Sequence, residues 1–147
     1  MQGLLAAMAA IAVLAILRSL GNSPALAQET ASAAGSNFIV YRSAVEAYYT
    51  ATPGAGPVVA NSALSMPPGY RPIKPWQNLR PSGGLVFVYG PANGSVLAAL
   101  VDEHGARLGA AGLVQGSRLI SPIYGDLGVS VPATIPGGSL AAVIQPN

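Results

Sequence analysis

The 147-residue chain contains no cysteine and only five acidic residues, and charged side chains make up 8% of it. Without cysteine there is no disulfide framework and no thiolate metal site. Five carboxylates leave little material for paired-carboxylate hydrolysis. One histidine, His104, means that any Ser-His-Asp arrangement has to use it. Its neighbours Asp102 and Glu103 would allow acid–base or metal chemistry. Asp-Glu-His-Gly is nevertheless ordinary turn material, and the sequence is read as having no catalytic and no metal-binding residue. No nucleophile elbow, phosphate loop or dinucleotide fingerprint occurs, so no cofactor is expected. The net charge of +2 comes from scattered cations, which excludes a nucleic-acid partner. Ordinary globular domains carry about 25% charged residues. So low a value suggests either a surface covered by partners or lying close to a bilayer, or a β-rich domain whose surface is Ser, Thr, Gly and Asn.

What the chain does have is a leading apolar run. Before Arg18 no side chain is charged, and Leu4, Leu5, Met8, Ile11, Val13, Leu14, Ile16 and Leu17 stand on an alanine background. As a helix, 17 residues span roughly 25 Å, the short end of what crosses a hydrocarbon core about 30 Å thick. Snorkelling of Arg18 would lengthen the span. Residues 1–21 are therefore expected to be a transmembrane anchor, contacting the membrane through residues 4–17. The rival is a signal peptide cleaved after Ala25-Leu26-Ala27, before Gln28. Cleavage is opposed by the lack of a positive side chain ahead of the apolar run and by Arg18 on its far side. Read literally, the positive-inside rule puts Arg18 in the cytoplasm; one arginine against one terminal amine carries little weight, and the C-terminal part is expected outside the cytoplasm, in the periplasm beside the bacterial inner membrane.

Beyond the anchor, residues 22–35 read as a linker and helix start, with Ser23 as N-cap and Pro24 at the first helical position. Gly35-Ser36-Asn37 either interrupts or recaps the run. Residues 36–147 are expected to form a single domain. Its most regular helix runs from Phe38 to Tyr49. Phe38, Tyr41, Val45 and Tyr48 follow one apolar stripe, which places Tyr49 off the stripe as an exposed contact. Arg42 and Glu46 stand four apart, and Thr52-Pro53-Gly54 ends the helix.

Seven prolines then fall between Pro53 and Pro81, together with the single tryptophan, Trp76. That density permits neither a long helix nor a central strand. Residues 53–84 are expected to be an ordered loop pinned by Tyr70, Ile73 and Trp76. Trp76 plugs the base of a sheet or, with Tyr70 and Arg71, contacts a ligand or partner. From Gly84 the chain reads as a β meander. The expected strands are Leu85–Tyr89, 96–101, 107–114, Arg118–Ile120, Val129–Val131 and Leu140–Ile144, with Asp102–Gly105 as a turn. Gly109 and Gly112 in the third strand weaken it or mark close packing. Segregated helix and strands give an α+β fold: an N-terminal membrane helix, then a helix packed on an antiparallel β-sheet, an arrangement akin to pilins.

The order of features resembles a known family. A short apolar N-terminus precedes Asn37-Phe38-Ile39-Val40-Tyr41-Arg42-Ser43-Ala44-Val45. A Thr-Pro-Gly stop, the Trp76 loop and a Gly84-to-Tyr89 strand follow, and Val131-Pro132-Ala133-Thr134-Ile135-Pro136-Gly137-Gly138-Ser139-Leu140 closes the pattern. Over about Ser36 to Ile144 the chain is similar to the small PilM proteins of conjugative, type IVb thin-pilus gene clusters, which are unrelated to the actin-like PilM. The resemblance implies a membrane-associated accessory protein of pilus biogenesis, without enzymatic activity, whose partners are other pilus-assembly proteins and which can be a homo-oligomer. It supplies no binding residues; Tyr49, Tyr70, Arg71 and Trp76 are the candidates for partner contact from the sequence itself. The alternatives are a minor pilin-like subunit of the fibre and a secreted ligand-binding module using the Trp76 loop. A standard prepilin site is missing, since Gly3 precedes Leu4 and Met8 stands where that pattern has glutamate.

Overall fold

The architecture was obtained as a computed structural model, which describes residues 24–82 and 84–146. The proposed anchor, its Arg18 flank and the Ser23 cap lie outside the described residues. Among the described residues no helix is long and apolar enough to cross a membrane.

Helix α1 runs Pro24–Ala51 without a break, so the linker expected over 22–35 is helical from Pro24. Gly35 does not interrupt it, and a packing reason accounts for a glycine there. A Cβ at Gly35 would lie 3.1 Å from the side chain of Leu100 on the second helix. The buried face of α1 is Ala31, Ala34, Phe38, Tyr41, Val45 and Tyr49. Its lower half follows i, i+3, i+7, i+11, closer to the 3.6-residue repeat than a stripe ending at position 48. Tyr49, expected to be exposed, is therefore buried at 1% exposure, and Tyr48 is the half-buried one. The chain leaves the helix at Thr52-Pro53, where proline cannot continue it.

The proline-rich stretch holds one short 3-10 turn, Asn61–Ala63, and one three-residue strand, β1, Gln77–Leu79. β2, Val86–Gly90, follows. The segment expected to be the next strand, 96–101, is instead part of helix α2, Gly94–His104. Asn93 decides this: extended at its own backbone, it accepts a hydrogen bond from the Val96 amide at 3.2 Å through Oδ1, satisfying a donor that a helix start leaves open. Val96, Leu97 and Leu100 then fall on one helical face. The expected Asp102–Gly105 turn is the last turn of this helix and its Gly105 cap. A 3-10 turn, Gly105–Leu108, leads into β3, Ala110–Gln115; β4 is Arg118–Ser121, β5 Gly125–Ser130 and β6 Leu140–Ile144.

The six strands form one antiparallel sheet in the order β1-β2-β6-β3-β4-β5. The meander is thus broken once, by the last strand entering between β2 and β3. Gly112 permits a close approach there: a Cβ would lie 2.2 Å from the Ile120 carbonyl oxygen across the β3–β4 pair. Both helices lie on one face of the sheet. Val86, Val88, Leu140, Ala142 and Ile144 point into that helix-covered core. Phe87, Val114, Leu119 and Ala141 point to the other face, where Val131 and Ile135 of the β5–β6 connection cover them.

Candidate functional site

The proline-rich loop is fixed to α1 by two asparagines. Asn37 lies mid-helix, and its Oδ1 accepts from the Trp76 indole Nε1 at 2.7 Å, the Ile73 amide at 3.0 Å and the Tyr70 hydroxyl at 3.3 Å. Its Nδ2 donates to the Arg71 carbonyl at 2.8 Å. One side chain therefore holds four consecutive features of the loop, and a polar residue in a helix interior is explained by the partners it satisfies. Asn78, on β1, is 3% exposed. Its Nδ2 donates to the Tyr41 hydroxyl at 3.0 Å and the Val59 carbonyl at 2.9 Å, and its Oδ1 accepts from the Val59 amide at 2.9 Å. Tyr41 in turn donates to Asn61 Oδ1 at 2.8 Å. The side-chain amide of Asn78 is thus paired at both ends, as a low-dielectric interior requires.

This geometry assigns the expected contact residues. Tyr70, Arg71 and Trp76 are brought together around Asn37; Tyr49 is not. The Tyr49 hydroxyl faces Gly56 and Asn78, with the Arg80 guanidinium 5.4 Å from its ring centre. Trp76 is 2% exposed and packs edge-on to Phe38 with ring centres 5.0 Å apart. A Cβ at Gly90 would lie 2.4 Å from its ring. Trp76 and Tyr49 are therefore core residues and cannot offer a partner surface, because every apolar face of each ring is already covered. Tyr70 is half-buried and Arg71 is exposed. Burial pushes the phenols of Tyr41, Tyr49, Tyr70 and Tyr89 above their ordinary value, since a phenolate there loses solvation. At Tyr41 the bond to Asn78, and at Tyr49 the Arg80 charge, pull partly the other way.

His104 ends α2 beside Glu103, with Nε2 3.8 Å from Glu103 Oε2. Ser32 and Ser36 of α1 donate to that same carboxylate, Ser36 at 3.2 Å. The serines are thus bonded to the acid and clamp α2 onto α1. A nucleophilic triad needs the hydroxyl on the imidazole instead. Among the described residues no group of three His, Cys, Asp or Glu side chains could hold a metal.

Two depressions share Pro91 and Ala92 in their linings. The larger, about 730 Å³, lies between the N-terminal turns of α1 and the start of α2 and is lined by Leu26, Ala27, Ala31, Ala92, Val96 and Lys74 among others. The smaller, about 320 Å³, continues past Pro91 and Ala92 to Tyr89 and the Pro136–Ser139 turn. Sequence reasoning missed the larger groove because it read the start of α2 as a strand. It missed Asn37 as the loop's anchor because it took Gly35-Ser36-Asn37 as an interruption or a recap of the helix. The one available signal was an asparagine in the middle of an otherwise strong helix former run.

No curated protein matches the chain. Among solved structures, it is similar to the crystal structure of a PilM protein from Escherichia coli B7A. The TM-score is 0.62 at 21% identity, covering 79% of this chain and 92% of that one. At that identity the likeness speaks for the fold. The PilM family model matches residues 5–143, nearly the whole sequence, and the chain belongs to the PilM family, which is associated with pilus and conjugation gene clusters.

Proposed function

We propose that this protein is a membrane-anchored accessory factor of type IV, conjugative pilus biogenesis that works through protein–protein contacts and catalyses no reaction. The PilM family match over residues 5–143 carries the reading. The apolar run from Leu4 to Leu17 supports the anchor, and the folded domain is read as lying on the periplasmic side of the inner membrane. The hydrogen bonding of Ser32, Ser36 and Glu103 supports a structural role for the residues nearest the lone histidine. Exposed Arg71 and Ile73 sit on a loop whose backbone is held by Asn37, a rigid platform of the kind that recognition surfaces use.

The test is made in cells that carry the pilus system. The protein should be recovered with the membrane fraction with residues 4–17 retained, resist alkaline extraction, and be needed for piliation. A mature form beginning at Gln28, or normal pili in a deletion strain, would overturn the reading. A second reading, a minor subunit within the fibre, draws on the 28-residue α1 lying against an antiparallel sheet. Sheared pili that contain the protein would select it.

A further inference from the structure

The face of the sheet away from the helices carries a small depression at one end. Gln77 on β1 and Tyr89 on β2 are directly opposite one another, and Tyr89 is opposite Ala141 on β6. Opposed residues of an antiparallel pair project to the same side, and Tyr89 packs with the cluster on the helix-free side. The Pro136–Ser139 turn, which leads into β6, walls this end, and the space is about 320 Å³. Small-molecule sites occupy about 300–1,000 Å³, so there is room for a small ligand or one unit of a longer one.

The lining is selective in its chemistry. It includes the Tyr89 phenol, the Gln77 amide and the Ser139 hydroxyl, and none of these three side chains is hydrogen-bonded to another described residue. Ser139 is 6% exposed, and a polar side chain buried to that degree is normally paired. Pro75, Pro91 and Pro136 complete the wall with rings whose backbone angle is fixed. Among the described residues no charged side chain lines the depression, which leaves no anchor for a phosphate or carboxylate. β2 is paired on both sides, so it offers no open edge to an extended peptide.

We propose that this depression binds one uncharged sugar ring of a glycan chain. A pyranose has a flat face of C–H bonds, which stacks on the Tyr89 ring and on proline rings. Its rim is hydroxyls, each a donor and an acceptor. The Gln77 amide donates and accepts at once, so it spans two neighbouring hydroxyls or the amide of an acetamido group. The Tyr89 and Ser139 hydroxyls serve the remaining rim. Asn78, next to Gln77, is tied to Tyr41 and Val59, so this end of β1 is held in place before any ligand arrives. Glycan binding is additional to the assembly role and does not depend on it.

The test uses the full chain in micelles of a detergent that carries no sugar. Saturation-transfer NMR and titration are run with chitotriose, which is N-acetylated, and with cellotriose, which is not. Binding with a Kd on the order of 1 mM is expected for a single ring. Binding of chitotriose alone would show that the acetamido group is read, and binding of both that the ring hydroxyls are; either outcome supports the site. Gln77→Ala should weaken binding roughly three- to tenfold, and Tyr89→Leu at least as much. Tyr89→Phe keeps the stacking ring and should lose less than Tyr89→Leu. Gly137 also lines the depression, and a Cβ there would meet nothing within 4 Å. Gly137→Leu should therefore abolish binding while the melting temperature stays unchanged. The proposal is overturned if the folded chain shows no saturation transfer to either sugar, or if Gly137→Leu and Gln77→Ala bind as the unaltered chain does. Neither result touches the assembly role, which piliation tests separately.

Discussion

Two asparagines do most of the specifying at the scale of single residues. Asn37→Ala would leave the Trp76 indole N–H and the Ile73 amide without an acceptor. A buried donor left unpaired costs about 1–3 kcal/mol; Trp76 is buried whereas Ile73 is exposed, so a loss of roughly 1–3 kcal/mol is expected in denaturant unfolding, with a red shift of Trp76 emission as the loop loosens. Asn37→Asp keeps the acceptor and should cost less. Gly90→Ala acts on the same residue from the other side. Its methyl meets the indole ring at 2.4 Å, and overpacking of this kind costs about 1–3 kcal/mol. The tyrosines give the alkaline behaviour a definite sign. Tyr41, Tyr49, Tyr70 and Tyr89 keep their protons above the ordinary value of 10.0 because they are buried. The unfolded chain releases those protons first, so the contribution is complete below pH 10 and is lost as pH rises through the folded-state values. Unfolding midpoints measured from neutral pH upward should hold below pH 10 and fall beyond it; a rise there would contradict the burial.

Elements differ in how far local signals fix them. The strands β2 and β6 are runs of β-branched, aromatic and small apolar residues between turn residues, and both were legible from sequence within a residue or so. Helix α2 was not. Val96-Leu97-Ala98-Ala99-Leu100-Val101 is a short apolar run of a kind that suits a buried strand as well as a helix, and the Asn93 cap settles it. Asn93→Ala should therefore lower stability by about 1 kcal/mol, with the loss appearing as helical signal; an unchanged midpoint would mean that packing alone holds α2. The α1 stripe was misread for a related reason. Three- and four-residue steps both keep an apolar side chain near one face, and the choice between Tyr48 and Tyr49 turns on the rotation of the whole helix against the sheet. On β3, Gly112 was expected to be weak or closely packed. The approach of Ile120 decides for packing, and Gly112→Ala should force the β3–β4 pair apart and be the most damaging glycine substitution in the sheet.

Across the whole molecule, the sheet is tied together by its last strand. β6 lies between β2 and β3, so the two halves of the sheet join only when the C-terminal residues arrive. Amide exchange should consequently be slowest in β2 and β6, whose residues are buried on both faces, and fastest along the edge strand β5, whose side chains are mostly exposed. Equal protection across all six strands would argue against that ordering. The two helices share one face of the sheet, so a single helix layer forms. Of the expected contact residues, Trp76 and Tyr49 are interior, Tyr70 is half-buried and Arg71 is on the surface.

Composition, turn residues and periodicity determined the α+β class, the long helix before the sheet, the irregular proline-rich stretch and the family pattern, because each is written in local spacing. Which face of α1 is buried, that 94–104 coils instead of extending, where β6 inserts and what Asn37 holds were decided only when distant segments met. Those outcomes rest on hydrogen bonds and close approaches between residues tens of positions apart, and a local pattern carries no record of them.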